Sequence, residues 1–263
     1  MVAFQLGPFT IAWYGIMITT GVIAAMTISH FEAKRRGLNT DHVLQLALVL
    51  VPLGIIGGRL YHVIDQWDEI YRQDPIRIFG GAGLGIFGSL IGGALGLIIY
   101  TRWQKLNTLQ WLDIVAPGVI LAQAIGRWGN FFNQELYGYP TDLPWAIYID
   151  PPHRAAGYEN FERFHPLFFY EFLWNLLGAV FLLVAGRKFQ KRLMNGDVFF
   201  LYTIWYSLGR FYLEGLKIGV WTVGGVPTAR WITGIAFVIS LVLMIYRHKR
   251  RRPGLSESST QRP

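Results

Sequence analysis

Seven apolar runs organise this chain, near 11–30, 43–64, 84–101, 111–130, 167–186, 198–216 and 230–247, the third and sixth short or broken by glycine. A bilayer crossing takes about 20 apolar residues. Inside lipid every backbone polar group must be satisfied within the protein, which selects helices. The expectation is an all-α polytopic membrane protein with seven transmembrane helices. Composition agrees: of 263 residues 52% are hydrophobic and 15% charged, and the mean hydropathy of +0.33 sets the chain apart from soluble averages.

The formal charge of +8 does not point to nucleic acid, because the basic residues fall in short clusters between apolar runs instead of covering one face. Fifteen of the 24 lysines and arginines lie in "EAKRRGLNTDH", "TRWQKLNTLQ", "GRKFQKRLMN" and the tail from Arg247. The alternate connections, 1–10, 65–83, 131–166 and 217–229, carry five, and Arg59, Arg127, Arg210 and Arg230 lie in spans or at their ends. By the positive-inside rule the N-terminus is outside and the C-terminus cytoplasmic. No lysine or arginine precedes the first run and no A-x-A site follows it, so that run reads as a retained helix. The expected organisation is one seven-helix domain over 1–247, with a small outer cap at 131–166, and a basic, disordered tail over 248–263. Trp13, Trp67, Trp103, Trp111, Trp128 and Trp231 stand near span ends as interfacial anchors would. Glycines spaced by four, Gly54/Gly58 and Gly88/Gly92/Gly96, suit close helix packing. No internal repeat suggests a transporter built from inverted halves.

The chain has no cysteine, so any sulfur in its chemistry belongs to a partner. His62, His153 and His165 lack metal-ligand spacing, and neither a G-x-S-x-G elbow nor a Walker loop is present. Two clusters are left to explain. "GRWGNFFNQELYG", Gly126 to Gly138, puts Arg127 at the outer end of the fourth helix, with Asn130 and Gln134 on its face if the helix continues. "YSLGRFYLEGLK" makes a polar stripe of Tyr206, Arg210, Glu214 and Lys217 on the sixth. Ionisable groups in a membrane span are functional by default. The plainer alternatives are structural ion pairs, Arg127 with Glu135 and Arg210 with Glu214.

The threading places Arg59, beside Tyr61 and His62, at the same outer end as Arg127 and Arg210. Tyr14, the glycine-rich start of the third helix and His165 belong there too. Forked, permanently charged guanidiniums beside open backbone suit a phosphate diester. The expected ligand is a phospholipid headgroup.

"GRWGNFFNQELYG" closely resembles the signature of the bacterial prolipoprotein diacylglyceryl transferases, as do "AWYG", "GGRLYHVI", "IFGSLIGG", "FHPLFFYE" and "YSLGRFYLEGLK" in the family's order. The resemblance implies transfer of the diacylglyceryl group from phosphatidylglycerol to the lipobox cysteine of a prolipoprotein signal peptide, in a bacterial inner membrane and without a cofactor or metal. It carries catalysis onto Arg127, Arg210, Glu135, Asn130 and Tyr14. Phosphatidylglycerol binding falls to Arg127, Arg210, Gly138, Tyr206, Glu214 and Arg59, with His62, His165 and Lys217 as auxiliaries. Many members have a histidine in an "HGG" turn opening the third helix where this chain has Phe87, and an arginine where it has Lys217. A base, if one is used, is then Glu135 or, in a lower rank, His62. A phospholipid or anion transporter with an outward-facing arginine site is the alternative.

Overall fold

The computed structural model describes residues 1–7, 9–80, 83 and 85–250. Among them are seven α-helices: α1 Trp13–Arg35, α2 Asp41–Asp65, α3 Ile86–Trp103, α4 Thr108–Phe132, α5 Leu167–Lys188, α6 Asp197–Leu213 and α7 Thr228–Arg250. Six of them, all but α6, are long and apolar enough to cross a bilayer. α6 has 17 residues, about 26 Å of helix against a hydrocarbon core of about 30 Å. It stops short of the expected end at 216 and tightens into the 3-10 turn Glu214–Leu216. Arg230 Nε donates to the carbonyl of Phe211 (3.1 Å), taking up one of the acceptors a helix C-terminus leaves unpaired.

The chain is predominantly helical, as expected, with three short strand pairs besides the helices among the described residues. The N-terminal residues form an antiparallel hairpin, β1 Val2–Leu6 with β2 Phe9–Ala12, and two shorter pairs follow, β3 Ile147–Tyr148 with β4 Arg163–Phe164 and β5 Thr222–Val223 with β6 Val226–Pro227. Long-range contacts hold the first: the Met1 ammonium donates to Asn133 Oδ1 (2.8 Å) and Trp13 stacks on Phe132 at 4.5 Å. α7 runs past the expected boundary at 247, and residues 251–263 of the expected tail lie outside the described residues.

The chain divides into two compact units, residues 1–27 with 115–263, and 28–114. In the first, Ile120, Ala179, Leu182 and Val198 form a buried core between α4, α5 and α6. Trp174 and Trp205 stack at 4.7 Å, and each indole donates to the other's backbone carbonyl at 3.0 Å. Two partly buried donors are thereby satisfied while α5 is fixed against α6. At the other end of α6, fully buried Asp197 accepts from the Met194 amide (2.7 Å) and contacts His248 Nε2 at 2.6 Å, so the final turn of α7 is tied to the first of α6.

The second unit rests on α2 against α3. A Cβ at Gly92 would lie 2.1 Å from the Leu53 carbonyl oxygen, and one at Gly88 2.1 Å from that of Gly57, so the backbones meet where only glycine fits. Gly54 makes no such close approach; Gly57 takes its place. Trp111, expected at the interface with lipid, is instead buried, edge-on to His42, whose Nδ1 lies 2.7 Å from the Tyr100 hydroxyl. Alanine at Gly92 should therefore lower the thermal midpoint of the detergent-solubilised protein, with a cost of about 1–3 kcal/mol for overpacking. Alanine at Gly93, which has open space around it, should leave the midpoint unchanged or raise it by its better helix propensity. Equal effects at the two positions would contradict this account of the packing.

Candidate active site

In the first unit, three helices bring their ionisable residues into one string. Arg127 stands near the end of α4, Glu171 in the second turn of α5 and Arg210 in the last turn of α6. Arg127 Nε lies 2.6 Å from Glu171 Oε2; Arg210 Nη1 donates to Glu171 Oε1 at 3.0 Å; Arg210 Nη2 lies 2.6 Å from Glu214 Oε2. The four side chains are 24%, 6%, 19% and 4% exposed in the order Arg127, Glu171, Arg210, Glu214. The outer two contacts are out of line for hydrogen bonds and hold by charge. Two cations and two carboxylates alternate, so no charge in the string is buried without a counter-charge.

The string continues into the cap. Arg127 Nη1 donates to Asn130 Oδ1 (3.4 Å), and Asn130 Nδ2 to Glu135 Oε1 (2.8 Å). Arg127 is therefore paired with Glu171 and reaches Glu135 only through Asn130, which replaces the direct Arg127–Glu135 pair weighed above. Gln134 does not share the face of Arg127, because α4 ends at Phe132 and the chain turns through positive φ at Gln134 (50°) and Leu136 (57°). Its amide instead exchanges hydrogen bonds with Asp150, Nε2 to Oδ2 at 2.6 Å and Oε1 from the Asp150 amide at 2.7 Å, anchoring the cap.

Other expected residues belong to the same unit. Tyr206, stacked on Tyr202 at 6.1 Å, stands in the field of Arg127, Glu171, Arg210 and Glu214. Tyr14 opens α1 and lies against Gly129, where a Cβ would meet its ring at 2.7 Å. Gly138 is buried at a backbone crossing: its amide donates to the His165 carbonyl (2.9 Å), it bridges to Lys217, and a Cβ there would fall 2.6 Å from the Leu216 carbonyl oxygen. The ring of His165 is within 3.2 Å of the Tyr170 hydroxyl. Lys217 closes the 3-10 turn after α6, half-buried, and its ammonium makes no ion pair or side-chain hydrogen bond among the described residues.

Arg59 and His62 belong to the second unit. The Arg59 guanidinium donates to the carbonyls of Ile78 and Gly83 (3.1 Å each) and of Arg77 and Gly80, and it lies over the Tyr71 ring at 5.4 Å. The guanidinium is thus committed to the main-chain carbonyls of Arg77, Ile78, Gly80 and Gly83. His62 packs edge-on to Tyr71, with its buried Nδ1 unbonded among the described residues. Phe87, at the position for which the resemblance implies a histidine in many members, lies beside Tyr61 in the first turn of α3. Among the described residues no three histidine, aspartate or glutamate side chains gather as a metal ion would require.

Helices of membrane-crossing length, with two partly buried arginines joined through a buried glutamate, define a multi-pass membrane protein with a charged interior. The family model described as prolipoprotein diacylglyceryl transferase matches residues 1–246. Proteins named phosphatidylglycerol–prolipoprotein diacylglyceryl transferase from Chloroflexus aggregans and Nostoc sp. are each 40% identical, over 92% of this chain and 87% of the relative in the first case and 97% and 92% in the second. One from Halalkalibacterium halodurans is 41% identical over 94% of the chain and 86% of the relative. The chain belongs to the prolipoprotein diacylglyceryl transferase family.

Glu171 is the residue the sequence reading missed, although "FHPLFFYE" contains it. A single carboxylate in an otherwise apolar span was the available signal, since such a group must face a cation. Replacing Glu171 with Gln leaves two guanidiniums without their shared counter-charge. The expected loss of stability is about 3–5 kcal/mol, measured as a lowered unfolding midpoint in detergent. Arg127→Met combined with Glu171→Met should cost less than the two single changes added together; strict additivity would show that the contact carries no coupling.

Proposed function

We propose that the chain transfers the sn-1,2-diacylglyceryl group of phosphatidylglycerol to the lipobox cysteine thiol of a prolipoprotein, forming a thioether and releasing glycerol phosphate. Family membership favours transfer over the lipid or anion transport weighed as the alternative. The observation that carries the reading is the pair of partly buried guanidiniums joined through the buried Glu171. A phosphate arriving there can exchange with the carboxylate, so that charge developing on the leaving group meets donors already in place.

In this reading the sulfur attacks the glycerol C3 carbon and the phosphate leaves with the C–O electron pair. Arg127 and Arg210 bind the phosphate and take up its growing charge. Asn130 and Glu135 hold Arg127 from the cap side, while Glu214 holds Arg210. Tyr14, Tyr206 and His165 border the substrate, and Gly138 fixes the loop that faces it. The topology that fits has seven crossings, with the N-terminus outside, the C-terminus in the cytoplasm and the site toward the outer face of a bacterial inner membrane. Arg59 would serve phosphatidylglycerol only by leaving its carbonyl partners.

The test is transfer by purified protein from phosphatidylglycerol vesicles to a lipobox peptide, scored as thioether product. Arg127→Ala and Arg210→Ala, inserted normally, should each lose on the order of 100-fold or more in rate. A peptide with serine in place of the cysteine should give no product. Unchanged transfer by both arginine variants, or lipid movement without thioether, would overturn the proposal.

A further inference from the structure

Once the string of Arg127, Glu171, Arg210 and Glu214 is matched, the Lys217 ammonium beside it makes no ion pair among the described residues. Lys217 sits three residues beyond Glu214, and its backbone bridges to Gly138 of the cap. The charges that act on its ammonium are Arg210 and Glu214 at the end of α6, Glu171 on α5 and Arg127 on α4. Both carboxylates among these are already engaged by arginines. Burial, and next the Arg210 guanidinium, hold the Lys217 ammonium below the ordinary lysine range, with Glu214 and Glu171 opposing them. An arginine here would stay charged at every accessible pH, whereas a desolvated lysine can give up its proton.

We propose that Lys217 is the proton acceptor for the incoming thiol, an inference that rests on the transferase reading. Neutral Lys217 Nζ takes the S–H proton as the S–C3 bond forms. The C3–O bond breaks with its electron pair on the phosphate oxygen, and glycerol phosphate departs. The ammonium then returns its proton to water. Proton uptake adds a positive charge next to the arginines at the moment the phosphate gains negative charge, so both events draw on one electrostatic site. Lys217 is also a better match than Glu135 for a thiol of pKa near 8.5, since an ordinary glutamate lies about four units lower. Glu135 is moreover occupied by the Asn130 amide.

The experiment compares wild type, Lys217→Arg and Lys217→Met in phosphatidylglycerol vesicles, with lipobox peptides carrying cysteine or selenocysteine. A selenol is already ionised near neutral pH and needs no base. With the cysteine peptide, both variants should lose about 100-fold or more in kcat/KM, the usual contribution of a positioned base. The wild-type rate should rise with pH as Lys217 loses its proton, below the ordinary lysine range, and the variants should follow only the thiol's own ionisation. With the selenocysteine peptide, Lys217→Met should recover most of the wild-type rate, while Arg127→Ala should stay low on both peptides. A Lys217→Arg enzyme with the wild-type rate and pH profile would overturn the proposal, because charge alone would then suffice. So would Lys217→Met failing equally on both peptides. A wild-type enzyme that moves lipid without forming thioether would instead refute the transferase reading itself.

Discussion

Glu171 carries two arginines on one carboxylate, and the first unit is arranged around that sharing. Its Oε1 and Oε2 face Arg210 and Arg127 from different helices, so α4, α5 and α6 must meet at a distance and rotation set by the reach of three side chains. Apolar packing between the same helices does not fix rotation to that degree, because lipid competes for apolar surface on equal terms. The stacked Trp174 and Trp205, with their reciprocal hydrogen bonds, lie one turn from Glu171 and just over one turn from Arg210. They hold the α5–α6 contact in the register that the charges require.

The sharing also explains how positive charge is kept ready without being bound too firmly. A guanidinium buried alone would be prohibitively costly, and one locked in a private bidentate pair would resist exchange. In the proposed reaction, with one carboxylate divided between two guanidiniums, an entering phosphate would displace part of an interaction and meet both cations. Glu214 stays behind as a permanent partner for Arg210, which limits the cost of that exchange. Arg59 shows the other use of the residue: a guanidinium spread over the main-chain carbonyls of Arg77, Ile78, Gly80 and Gly83 fixes backbone and keeps little capacity for a ligand.

The helices were legible in the sequence because apolar length and the distribution of lysine and arginine are local quantities. Arg127, Asn130, Arg210 and Glu214 stood out for the same reason, as polar residues in or beside apolar runs. What escaped depends on partners far along the chain. The hairpin of β1 and β2 is held by Asn133, more than a hundred residues away. Gly138 looked like a substrate contact in the signature, yet its setting is a backbone crossing with 165 and 216–217. The choice of Glu171 over Glu135 as the partner of Arg127 turned on where α4 ends, and that end depends on left-handed backbone at Gln134 and Leu136 that no local pattern announces.

Phe87 and Lys217 depart from the pattern that the resemblance implies, at separate points of the sequence, and their chemistry is complementary. A site that has phenylalanine where histidine is frequent loses a group able to change protonation near neutral pH. Lysine in place of arginine introduces one, provided that its surroundings disfavour the ammonium. Those surroundings are found at Lys217: partial burial, an adjacent guanidinium, and carboxylates committed elsewhere. Arginine could share the electrostatic work of Arg127 and Arg210 but could not accept a proton, so the substitution changes what the position can do while keeping its charge at rest.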